Sequence, residues 1–96
     1  MQRIWMYPDF GDECFWYSPS GIVCPIEEFE PLLPSTSKLH QDIKKWRYSF
    51  NKQEEEQFSW SEFNQQGRKL HKELEKLLNN KYLIEYVKSY EEQQND

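Results

Sequence analysis

The chain has 96 residues, 30% of them charged, with a net charge of −5 and a mean hydropathy of −1.05. That length makes a single domain, whose core covers roughly two-thirds of the unfolded chain's surface. The mild acidity excludes a solvating acidic tail, and apolar runs of only a few residues exclude a membrane span. Four Trp, six Tyr and six Phe supply the core instead, each able to bury roughly 150–250 Å². Met1-Gln2-Arg3-Ile4-Trp5 has neither the apolar stretch nor the cleavage site of a signal peptide, so a cytoplasmic protein is expected.

Ile4, Trp5, Met6 and Tyr7 form a short apolar run that Pro8 stops, which predicts a strand. Its unbroken apolarity suits a strand covered on both faces. An acidic loop follows from Asp9 to Glu13. Cys14 to Tyr17 and Ile22 to Cys24 are β-prone runs joined by Ser18-Pro19-Ser20-Gly21, the chemistry of a hairpin turn. Pro25, Pro31 and Pro34 punctuate the next connector, which places Glu27, Glu28 and Glu30 outside any regular element. Ser35, Thr36 or Ser37 can cap a first helix bearing Leu39, Ile43, Trp46 and Phe50 in one narrow stripe.

A polar loop, Asn51 to Gln57, leads to the strongest helical signal, Trp60 to Leu78. Trp60, Phe63, Gly67, Leu70, Leu74 and Leu77 recur at steps of three and four. Ser59 and Glu62 make a capping box at its start, and Asn79 and Asn80 offer the left-handed conformation that ends a helix. The period then becomes two: Tyr82, Ile84 and Tyr86 share one side and Leu83 and Val87 the other. Gly67 lies inside the apolar stripe, either because the first helix approaches closely around Ile43 and Trp46 or as a tolerated defect.

The expected architecture is α+β: a small, mostly antiparallel sheet in β-β-β-α-α-β order with two helices on one face. The last strand is expected to pair with the first. Residues 1–90 form the domain and residues 91–96 a solvated tail.

Little in the sequence points to catalysis. Cys14 and Cys24 lack zinc-ribbon spacing. They nearly face each other across the hairpin, where a disulfide is geometrically conceivable, although a cytoplasmic chain favours two thiols. His40 and His71 sit on different helices. No glycine-rich phosphate loop and no nucleophile elbow occurs. No metal or cofactor is therefore expected, and no enzymatic activity.

The charge layout is more informative. Residues 1–35 carry six acids and one base, whereas residues 36–52 carry five bases and one acid. Tyr7, Asp9, Phe10, Asp12, Glu13, Trp16 and Tyr17 combine aromatic anchors with carboxylates, and Glu27 and Glu28 extend the acidity. These are the ingredients of a surface that docks a basic protein, unless the aromatics are simply core. On the helices, Lys38, Lys45 and Lys52 recur every seven residues beside Tyr48, and Arg68, Lys69, Lys72 and Lys76 sit opposite the apolar stripe. That basic face could track a phosphate backbone, or be an ordinary solvated helix surface.

Ile4-Trp5-Met6, Phe15-Trp16, Leu39 through Trp46, Trp60, Phe63, Gln66-Gly67-Arg68, Leu70, Leu74, Leu77 and Ile84-Glu85-Tyr86 together resemble a family of small bacterial proteins of about this length. Some of its members are immunity proteins of contact-dependent growth-inhibition toxins. Asn79-Asn80-Lys81 and the Glu54 to Gln57 loop depart from the family's pattern, and its functional residues do not carry over, because immunity surfaces vary with the toxin. The resemblance implies a cytoplasmic, non-enzymatic protein that neutralises a cognate toxin domain, for example a nuclease, by binding it. The alternative is a small nucleic-acid-binding or antitoxin-like regulator that uses the basic helical face.

Overall fold

In the computed structural model, residues 1–9 and 13–87 are described. Ile4 to Tyr7 carry enough β-branched and aromatic bulk to extend, and strand β1 runs Gln2–Met6. Strand β2 is Phe15–Tyr17, helix α1 is Lys38–Ser49, helix α2 is Trp60–Leu78 and strand β3 is Tyr82–Tyr86. The fold class is α+β, with the two helices against a three-stranded sheet of order β2-β1-β3. β1 pairs antiparallel with β2 and parallel with β3, which joins the first strand to the last as expected and makes the sheet mixed.

The run 22–24 is not a strand of its own. The hairpin is closed by Tyr17 N–H to Ile22 O (2.8 Å) and Cys24 N–H to Phe15 O (2.9 Å), but the pairing amounts to a single bridge between Trp16 and Val23. Pro25 follows at once and has no N–H to extend it. Gly21 takes φ +76° in the connecting turn, a conformation that disfavours a side chain. Glu27 and Glu28 are in a regular element after all, a 3-10 turn over Ile26–Phe29 whose Ile26 and Phe29 plug the core. Phe29 meets both Phe15 and Tyr82 edge to face, with centroids 5.1 Å apart in each case.

Ser37 caps α1, accepting from His40 N–H at 3.1 Å, and Ser59 caps α2, accepting from Glu62 N–H at 3.2 Å. The end of α2 differs from expectation: Asn79 is right-handed, and the only positive φ among the described residues is that of Gly21. The helix closes instead through a turn in which Lys81 N–H donates to Leu78 O. The buried stripe also ends one residue later than expected. Leu78, four residues on from Leu74, is fully buried, while Leu77 is 39% exposed.

Gly67 is a site of close approach. A Cβ there would lie 2.7 Å from Trp46 Cζ2 and 2.6 Å from Tyr86 Oη, so the nearest neighbours are Trp46 of α1, as expected, and Tyr86 of β3. Around that contact, Trp46 stacks on Phe63 with centroids 4.8 Å apart and donates its Nε1–H to Phe63 O at 2.9 Å. Tyr86 Oη donates to the buried Asn64 Oδ1 at 3.0 Å, satisfying a polar pair inside the core. The expected tail, residues 91–96, lies outside the described residues.

Candidate partner-binding surface

The helices cover one face of the sheet only, contrary to the expectation that β1 is enclosed on both sides. Ile4 and Met6 of β1 are fully buried toward the helices, as are Phe15 of β2 and Ile84 and Tyr86 of β3. Strand alternation sends Arg3, Trp5 and Tyr7 to the opposite face, with Trp16, Leu83 and Glu85. Register places Glu85, Trp5, Trp16 and Val23 in one row across the sheet. Trp5 and Trp16 are half-buried, Val23 is 39% exposed and Leu83 45%. Among the described residues, no helix or strand lies over this row.

Tyr7 stacks on Trp16, with centroids 5.2 Å apart and planes 19° from parallel. Trp16 Nε1–H donates to Tyr7 O at 2.9 Å, which fixes the indole on the surface. Burial raises the Tyr7 phenol above its ordinary pKa, and the nearby Asp9 carboxylate adds to the rise. Glu13 closes the same end of the sheet, 3.9 Å from Arg47 Nη1 of α1. Tyr7, Asp9 and Trp16 are therefore neighbours, whereas the Glu13 carboxylate turns toward α1. Phe10 and Asp12 lie outside the described residues.

Tyr17, Glu27 and Glu28 form a separate group at the other end of the sheet. Glu28 accepts from Tyr17 Oη at 2.8 Å and from Tyr82 Oη at 3.2 Å, so one carboxylate ties β2, β3 and the 3-10 turn together. The hydrogen bond to Glu28 raises the Tyr17 pKa, helped by burial; for Tyr82 burial leads and the same bond follows. Glu27 is exposed beside it. The five described candidates, Asp9, Glu13, Tyr17, Glu27 and Glu28, thus divide into two acidic ends.

The basic candidates divide too. Lys38 Nζ lies 2.6 Å from Asp42 Oδ2, and Asp42 also senses Lys45 and Lys69. The hydrogen bond from Lys38 lowers the Asp42 pKa, and Lys38 in turn senses Glu73. Acids therefore interleave the lysines along the α1–α2 surface. Tyr48 is outward as expected, 60% exposed, with Lys52 Nζ 5.7 Å from its ring centroid. Arg68 and Lys72 lie on the other flank of α2, beside β3.

The two cysteines are buried free thiols. Burial pushes Cys14 up to about 12 and Cys24 up to about 11 from the ordinary 9.0, although Arg47 beside Cys14 opposes the rise. A raised pKa suppresses the thiolate, so neither is poised as a nucleophile. His71 is a flank residue of α2: its Nε2–H donates to Ile84 O at 2.7 Å. Among the described residues, no group of three His, Cys, Asp or Glu side chains could hold a metal ion, and no helix is long and apolar enough to cross a membrane.

Trp5 and Val23 are the site residues that sequence reasoning missed. Trp5 sat in an apolar run taken as core, and the signal for it was the cross-strand partner Trp16, which only the register reveals. No protein-family model, curated protein or solved structure matches this chain.

Proposed function

We propose that this protein is a non-catalytic inhibitor that binds and neutralises a basic protein, a toxin domain such as a nuclease, through the open face of its sheet and the acidic residues Asp9 and Glu13 at one end of it. The observation that carries this reading is the Glu85-Trp5-Trp16-Val23 row, half exposed on a sheet face that the helices leave bare. Tryptophans are the commonest interface anchors, and a surface-fixed indole loses little entropy on binding. Glu85 pairs in register with Trp5, Asp9 lies near Tyr7, and Glu13 faces Arg47 at the same end of the sheet; these carboxylates supply complementarity to a cationic partner. The resemblance to immunity proteins supports a toxin domain as that partner, and a bacterial cytoplasm as the setting.

Binding nucleic acid through the helices is less well supported, because Asp42 and Glu73 break the lysine surface that a phosphate backbone would need. The test is association kinetics, at two salt concentrations, with a toxin domain captured from a bacterial lysate. Trp16→Ala should raise the dissociation rate. Asp9→Asn with Glu13→Gln should slow association and flatten its salt dependence. Replacing Lys38, Lys45 and Lys52 should change neither. Retention of RNA in place of a protein would overturn the proposal.

A further inference from the structure

Leu77 falls outside the buried stripe of α2 and sits instead on the rim of a groove of about 490 Å³ in the helical layer. Leu32 of the proline-punctuated connector and Leu39 in the first turn of α1 line the same groove, over the buried Leu33. Leu32 and Leu77 are each 39% exposed and Leu39 is half-buried. A single exposed leucine is ordinary, but these converge on one concavity that the folding of one chain leaves open.

Glu73 and Lys76, both exposed and three residues apart on α2, complete the lining. Lys38 senses Glu73 but is itself held by Asp42 at 2.6 Å, and no ion pair among the described residues engages Lys76. The groove therefore offers one charge of each sign. A partner of one dominant charge would gain at one of these residues and lose at the other. A second copy of the chain gains at both. Glu73 and Lys76 lie equally far on either side of a two-fold axis that crosses α2 between Leu74 and Glu75. Two antiparallel copies of α2 about that axis set each charge against its opposite, the self-complementarity that an isologous contact requires.

We infer that this face joins two copies of the chain in a symmetric dimer, in which Leu77 of each enters the groove of the other and Glu73 pairs with Lys76 of the partner subunit. The tryptophan row lies on the sheet face turned away from the helices, so the dimer leaves it open. The inference is independent of the proposed inhibitor function. One groove and one pair of charges per subunit make an interface at the small end of the specific range, about 1,200 Å² or less, so the expected dissociation constant is on the order of 10–100 μM.

Sedimentation equilibrium of the full chain, from about 1 μM to about 1 mM, reads that association directly. A monomer–dimer transition is expected within the range, with methyl resonance shifts at Leu32, Leu39 and Leu77. Leu77→Asp should weaken the dimer about a hundredfold, because each subunit loses an apolar contact and sets a carboxylate in its place. Glu73→Lys and Lys76→Glu should each weaken it about tenfold, since symmetry replaces two ion pairs by two like-charge contacts. The double variant exchanges the two charges and should restore association, which no folding defect would do. A monomer at every concentration, a dimer indifferent to Leu77→Asp, or a double variant no better than the single ones would each overturn the inference. So would a dimer whose resonance shifts fall on Trp5 and Trp16.

Discussion

The two faces of the sheet are built from the same strands and reach opposite ends. Toward the helices, Ile4, Met6 and Ile84 vanish from solvent; on the other side Trp5, Trp16 and Leu83 stay half exposed. The helix side is closed by groups that have partners: Trp46 on Phe63, and Tyr86 on Asn64. The bare side has an aromatic row and a rim of carboxylates, with surface left to bury. Aromatic content alone therefore does not measure a core, since part of it here is held at the surface.

This contrast can be broken by substitution. Met6→Ala on the covered face should cost about 2–5 kcal/mol, read from the denaturant midpoint. Trp5→Ala, its neighbour on the bare face, should cost clearly less despite the larger side chain removed. Equal losses would mean that the bare face is core. Gly67→Leu should destabilise by about 1–3 kcal/mol, because the new side chain must displace Trp46 and Tyr86 where even a Cβ is too close.

Alkaline pH sharpens the contrast from the covered side. The unfolded thiols lose their protons near 9, whereas the folded Cys14 and Cys24 hold theirs to about 12 and about 11. Between those values the native state binds more protons, so its stabilising contribution is complete below pH 9 and is lost as pH rises through that window. Cys14→Ala should flatten the decline in melting temperature above pH 9. The smallest effect is expected at the exposed tyrosine clamp. Glu28→Gln should change stability by less than about 1 kcal/mol while returning Tyr17 toward its ordinary pKa, which ultraviolet titration would record.

Much of the fold was legible because it is encoded locally. Ser37 and Ser59 cap their helices through contacts three residues away, and the change of period after Lys81 marks β3. Gly67 was legible as an anomaly in a buried stripe, though its contact with Tyr86 was not. What escaped was encoded by distant pairing. Nothing near Trp5 states that Trp16 and Glu85 flank it, nor that the helices lie on the other side. The direction of the β1–β3 pairing, the union of Tyr17 with Tyr82 through Glu28, and the position of Arg68 and Lys72 beside a strand edge all depend on contacts across the chain. Asn64 is a further case: its burial makes sense only with the Tyr86 hydroxyl beside it.

The parallel pairing of Gln2 with Tyr82 and Met6 with Tyr86 also orders events in time. A ribosome adds about 5–20 residues per second, so the first strand waits roughly 4–16 s, plus passage through the exit tunnel, before its central partner emerges. Until then only the hairpin with Phe15–Tyr17 can form, and an isolated hairpin is marginal in water. The row that ends on Glu85 does not exist in a nascent chain. The complete row would therefore assemble only once β3 has emerged, and a product cut short of β3 would lack its Glu85 end.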